Sequence, residues 1–232
     1  LSQALATLQK ARLLAVGPDE RPLALAGIVD IGSGEILRER NNLEEAKKYL
    51  ERGRQLTQAE WASSTQEAVV SLARLHQSQG DIAEAQALIE EAFDLALTAE
   101  SGQWDEVFIT ATAARLALQR NDLSASVQWW KRGGVSERLE SIGPESYPYP
   151  VYEYLLITQA RMHFAVGRDN EDTEDTALLR RELELLQSLL PTVERFKRVT
   201  SKIEILVLKA MIEDALDEHD HAVETFLSAL AL

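Results

Sequence analysis

Five times along this chain a small residue stands seven positions before a residue suited to a tight turn. The pairs are Gly34 and Asn41, Ala73 and Gly80, Ala114 and Asn121, Ala160 and Gly167, and Ala210 and Asp217. A second small residue follows the turn residue by five positions, at Ala46, Ala85, Ser126 and Ala222, and is missing only from the fourth unit. A third comes seven positions later, at Gly53, Ala92, Gly133 and Ala229, and Ala4 and Ala11 repeat that last pair near the start. Two helix backbones approach closely only where side chains are small, so this register describes stacked helical hairpins. Such arrays present extended binding surfaces.

Each unit reads as helix, tight turn, helix. In the second unit Ala68, Val69, Leu72, Ala73 and Leu75 form an apolar stripe at helical spacing. Gly80 can adopt the left-handed conformation that ends a helix, and Asp81 can cap the next one. First helices are predicted over 22–39, 64–79, 104–120, 150–166 and 200–217, and second helices over 43–58, 82–99, 123–132, 175–196 and 220–232. Residues 1–15 read as the second helix of a preceding, truncated unit. Six prolines and eleven glycines in 232 residues agree with helix nearly throughout. The expected organisation is one repeat domain with units 1–21 (partial), 22–62, 63–101, 102–149, 150–199 and 200–232. The missing initiator Met and the opening in mid-repeat read as a fragment of a larger protein.

Two stretches break the rhythm. Residues 133–149, rich in Gly, Pro and Ser, are predicted to be a loop ending in the alternation Tyr147-Pro148-Tyr149-Pro150, a stiff connector that Trp129 and Trp130 can pin. Residues 168–176 form an acidic run that reads as a solvated insertion.

A formal charge of −14 argues against a grip on a phosphate backbone, so no direct nucleic-acid contact is expected. With no cysteine there is neither a disulfide framework nor thiolate chemistry, which fits the cytoplasm. No apolar run approaches the roughly 20 residues of a membrane span, so no membrane partner is expected. There is no G-x-S-x-G elbow and no H-E-x-x-H, and an enzyme is not expected. His76 and His163 fall two repeats apart, and His219 and His221 diverge at i,i+2, so no metal or other cofactor is expected. The run from Asp169 to Asp175 lacks the sixth-position Gly of a calcium loop.

The spacing small–(6)–turn–(4)–Ala–(6)–Ala, clearest as Ala73…Gly80-Asp81…Ala85…Ala92, is the tetratricopeptide pattern. The wording of the units, RNNLEEAKKYLERG, QGDIAEAQALIEEA, YEYLLITQARMHFAVGR and RVTSKIEILVLKAMIEDAL, resembles the sensor region of MalT-like regulators, the large ATP-binding members of the LuxR-type bacterial transcription factors. The resemblance implies an all-α fold: a right-handed tetratricopeptide-like superhelix of about five hairpins plus a leading helix. It further implies a flanking ATPase and helix-turn-helix, and a role in receiving a small-molecule inducer or a regulatory protein. No G-x-x-x-x-G-K-[ST] and no basic recognition helix occur within these residues. A generic tetratricopeptide scaffold that binds peptide segments is the alternative.

In stacked hairpins the residue after each first-helix small residue points into the concave groove. That column reads Glu35, Arg74, Arg115, Arg161 and Met211. Arginine offers a rigid fork suited to carboxylate or phosphate, so the column can receive an acidic peptide, an anionic metabolite or a sugar phosphate. Equally, the arginines can pair with groove carboxylates such as Glu35 and Glu67. Arg38 and Tyr154 complete the candidate set, and Phe108 and Phe164 can share the groove.

Overall fold

A computed structural model describes residues 1–17, 19, 21–98, 103–141, 149–167 and 173–232 of the chain. Among these residues the regular elements are α-helices, accompanied by one isolated antiparallel bridge between Val16 and Pro22. The chain divides into two compact units, Leu1–Leu116 and Ala117–Leu232.

The first unit holds α1 (Ser2–Leu14), α2 (Ala24–Glu39), α3 (Leu43–Thr57), α4 (Ala62–Ser78), α5 (Ile82–Thr98) and most of α6 (Gln103–Gln119). Helix α3 packs on its own first helix α2 and on the next one, α4, while α2 also touches α4. The small-residue register explains that closeness. A Cβ on Gly34 would stand 2.6 Å from Leu50 Cγ and 3.2 Å from the Ala46 carbonyl. Ala46, Ala73, Ala85, Ala92 and Ala114 are all buried, alongside Ile31, Leu50, Val69 and Leu75. Helix α1 is different: it buries none of its residues. The predicted start of α2 at residue 22 moves to Ala24, because Leu23 N–H donates to the Ala15 carbonyl and Gly17 N–H to that of Arg21.

The second unit holds α7 (Leu123–Arg132), α8 (Val135–Ser141), α9 (Tyr149–Gly167), α10 (Thr173–Arg195), α11 (Val199–Ala215) and α12 (His219–Leu230). Here α10 packs on both α9 and α11, and α12 on α11. Leu156, Ile157, Ala160, Leu179, Leu186, Leu189, Val193, Ile205, Leu208 and Ile212 form one core cluster.

Four of the five turn residues behave as expected. Asn41, Gly80, Asn121 and Asp217 all have φ between 58° and 82°. At each, the turn residue and its successor donate back to the last helical turn, as in Asn41 N–H to Arg38 C=O and Asn42 N–H to Leu37 C=O, both 2.9 Å. Asp122 then caps α7 through a 3.0 Å bond from Ala125 N–H. Gly167 departs from the pattern: it is the last residue of α9 and is not in the left-handed region. Residues 168–172, which follow it, lie outside the described residues; a further left-handed residue, Lys197, closes α10 on its way into α11, where Arg198 N–H donates to Val193 C=O.

The expected loop over 133–149 is only partly a loop. Gly134, with φ of 55°, makes a sharp turn into α8, where Val135 is fully buried and Leu139 packs against the core. Trp130, 5% exposed, donates its indole N–H to Ser136 Oγ at 2.8 Å, so it pins α8 to α7. Tyr149 and Pro150 open α9, where Pro is tolerated in the first helical turn. Residues 142–148, including Tyr147 and Pro148, and residues 168–172 of the acidic run lie outside the described residues.

Candidate functional site

A buried small residue fixes how its neighbours point. In α2, α4 and α9 the residue at +1 from Gly34, Ala73 or Ala160 emerges at the edge of the helix contact and stays half-buried. In the first unit this brings Glu35, Arg38 and Arg74 together. Arg38 donates to Glu35 Oε2 at 3.1 Å and also pairs with Glu39. Arg74 Nη1 lies 3.8 Å from the same Glu35 oxygen, Nη2 reaches Thr112 Oγ1 at 3.5 Å, and the guanidinium stands 5.7 Å above the Phe108 ring. One arginine thus links three successive first helices. Gln77 adds a second strut by donating to the Leu116 carbonyl at 3.0 Å.

Charge is unevenly distributed on this face. Burial pushes the Glu35 carboxyl up, but the hydrogen bond from Arg38, the charges of Arg74 and Arg38 and a bond from Ser71 outweigh it and hold its pKa below the ordinary value. Glu67 goes the other way. Its surface reaches solvent, yet the protein atoms crowded around it, together with the charges of Glu35 and Asp105, outweigh Arg74 and raise its pKa. Asp105 accepts a 2.7 Å bond from Ser63. The face therefore carries more carboxylates than a simple anion clamp would.

Arg115 is half-buried on α6. In the second unit, Tyr154 and Arg161 lie seven residues apart on α9, two turns along one face, and both are half-buried. Arg161 Nε donates to Glu204 Oε1 on α11 at 2.8 Å. Met211, the last member of the column, is 44% exposed.

The partners Phe108 and Glu204 share a register that the sequence reading did not use. Each stands six residues before the small residue of its own first helix, at Ala114 and Ala210. Reading columns +1 and −6 together would have paired Arg74 with Phe108 and Arg161 with Glu204.

A second ionic centre had no sequence signal. Asp30, fully buried on α2, accepts from Arg12 Nε at 2.7 Å and from Arg52 Nε at 2.5 Å and Nη2 at 2.7 Å. It joins α1, α2 and α3. The hydrogen bond to Asp30 raises the Arg52 pKa against the effect of burial, and Arg52 lies 4.7 Å over the Tyr49 ring. Buried carboxylates in the second unit are partnered likewise, Glu153 with Arg198 at 2.8 Å and Glu182 with His163 at 2.7 Å.

The histidines stand beside carboxylates, for example His76 beside Asp81 at 3.2 Å, and His219 beside Asp214 at 2.9 Å and Asp217 at 3.9 Å. Among the described residues no group of three or more His, Asp or Glu is arranged to hold a metal ion, and no helix is long and apolar enough to cross a membrane.

Comparison with curated proteins and with solved structures returns no match. The family model described as MalT-like TPR region matches residues 1–232, the whole chain. With its helical hairpins and its left-handed turn residues, this chain belongs to the MalT-like tetratricopeptide region family.

Proposed function

We propose that this chain is the effector-sensing and protein-interaction module of a cytoplasmic, MalT-like regulator of the LuxR type, and that it carries no catalytic activity of its own. Its partners are a small-molecule inducer or a regulatory protein, together with the ATPase and helix-turn-helix of the same regulator. Each unit has its own candidate contact surface on its first helices: Glu35, Arg38, Arg74 and Arg115 in the first unit, Tyr154 and Arg161 in the second. One observation carries this reading. Arg74 sits between Glu35, Thr112 and Phe108 on three successive first helices, where an incoming group can exchange partners with it. The carboxylates beside it favour a ligand that offers both donors and acceptors over a bare anion. An effector that binds one arrangement of the hairpins more tightly shifts the regulator toward that state.

The 2.8 Å pair of Arg161 with Glu204 favours a second reading for that residue, a structural tie between α9 and α11. A thermal-shift screen against sugars, sugar phosphates, nucleotides and amino acids tests the sensor role. A ligand at 100 times its Kd adds about 2.7 kcal/mol. In the variant with Arg74, Arg115 and Arg161 all changed to Ala, a sensing face loses the ligand-induced shift while the unliganded melting point holds. A large fall in that melting point assigns the arginines to the fold.

A further inference from the structure

Away from the first-helix face, a cleft of about 410 Å³ opens between α1 and the turn joining α2 to α3. Ligand pockets commonly span roughly 300–1,000 Å³. We propose that this cleft binds a small zwitterion with an apolar side chain, of the amino-acid or dipeptide class.

The lining separates into three kinds of group. Leu5 of α1 and Leu37 of α2 supply the apolar floor, and the Tyr49 ring supplies a flat wall. Arg40 and Glu45 supply opposite charges from the two sides of the turn. Gln9 and Asn42 add amides. An α-carboxylate matches the fork of Arg40, an α-ammonium matches Glu45, and the side chain lies against Leu5 and the Tyr49 ring.

Most of this lining is held in place before any ligand arrives. Leu37 is 5% exposed, and its carbonyl accepts the Asn42 N–H that closes the turn. Asn42 Nδ2 donates to Glu45 Oε2 at 2.7 Å, which orients the carboxylate in the first turn of α3. Tyr49 lies under Arg52, which is anchored on buried Asp30. Arg40 forms no ion pair among the described residues, although it follows Glu39 and precedes Glu44 and Glu45 by a few positions.

The remaining wall is the adjustable part. Helix α1 buries none of its residues, and among the described residues its side-chain ion pair to the hairpin is that of Arg12 with Asp30. A zwitterion filling the cleft covers Leu5 and Gln9 and fastens α1 to α2 and α3. The site uses neither Arg74, Arg115 nor Arg161, so it stands or falls separately from the first-helix face.

Isothermal titration of the 232-residue chain with L-leucine and with L-leucyl-L-leucine tests the proposal. Saturable binding of at least one is expected, and whichever binds more tightly sets the ligand size. N-acetyl-L-leucine and L-leucinamide, each lacking one charge, should bind about tenfold or more weakly, as should the zwitterion to Arg40→Ala and to Glu45→Gln. Both side chains are exposed, so circular dichroism should show unchanged helicity and melting. Amide exchange in α1 should slow when the probe is bound. No saturable heat with either probe overturns the proposal, as does binding that tolerates both substitutions. Binding lost only when the three groove arginines are replaced moves the site to the first-helix face and also overturns it.

Discussion

Arg74 and Arg161 occupy the same register position, one residue after the buried alanine of a first helix, yet they are held in different ways. Arg74 shares Glu35 with Arg38, reaches Thr112 at 3.5 Å and covers Phe108. Arg161 points at one carboxylate, Glu204, at 2.8 Å. The register sets the reach of the side chain. What it meets is decided by the residue six before the small residue in the next first helix, a phenyl ring in one unit and a carboxylate in the other. Arg74 rests on a ring and looks back to Glu35 at 3.8 Å, whereas Glu204 faces Arg161 directly at 2.8 Å. An arginine column is therefore not one binding strip, and each unit must be tested by itself.

The largest effect should come from the backbone contact beneath Glu35. Its neighbour Gly34 already leaves a Cβ no room against Leu50, so Gly34→Leu forces α2 away from α3 and should cost about 3 kcal/mol. Ala160→Gly, beside Arg161, makes the opposite change and should cost only about 1 kcal/mol through helix propensity. Urea denaturation of both variants checks the ratio, and equal losses would show that the two helix contacts are equally tight.

Glu35→Gln comes next. It weakens the acceptor that serves both Arg38 and Arg74, with an expected loss of about 1 kcal/mol. Glu204→Gln should cost about 0.5 kcal/mol or less, because Arg161 is 41% exposed and solvent screens the pair. If the second loss exceeds the first, Arg161 is the more structural of the two in a stronger sense than its geometry suggests.

The pH profile sharpens the contrast within the first unit. Glu67 has a raised folded-state pKa, so its ionised form is destabilising above that value and the penalty is relieved as pH falls toward the ordinary glutamate value. Glu35 is depressed, so its stabilisation is present above the unfolded value and is lost as pH falls through its lower folded value. Stability should rise slightly on mild acidification and then drop. Glu67→Gln should flatten the rise and Glu35→Gln should flatten the Glu35 part of the drop, as read by melting temperature across acidic buffers.

The smallest effect is expected at the Arg180 pair with Glu218, joined at 3.0 Å with Arg180 56% exposed. Arg180→Ala should stay within about 0.5 kcal/mol of the parent in denaturant titration. A larger loss would mean that even outward pairs in the second unit support the fold.

The helices and their turns follow from local chemistry, which is why they can be read along the chain. Asn41, Asn121 and Asp217 are residues that tolerate positive φ, and the alanines beside them mark where backbones touch. The exceptions also have local causes. Helix α8 hides in a Gly- and Ser-rich stretch because its stability comes from burying Val135 and from Ser136 accepting the Trp130 N–H. Gly167 ends α9 as its place in the repeat suggests, though not in the left-handed region, whereas the left-handed Lys197 between α10 and α11 is a residue type that gives no such signal.

The choice of partner for each charge is another matter. Asp30 reads as one more polar residue in α2, yet it is fully buried because Arg12, eighteen positions earlier, and Arg52, twenty-two later, converge on it. Glu204 lies forty-three positions from the arginine it binds. By itself the sequence determined the all-α repeat, its register and the column on which the candidate arginines stand, because periodicity and turn preference act over a few residues. Only the tertiary structure decided which arginine meets a ring and which a carboxylate, and where a cleft remains beside α1. Those outcomes depend on helices that are far apart in the chain and come into contact only when the hairpins stack.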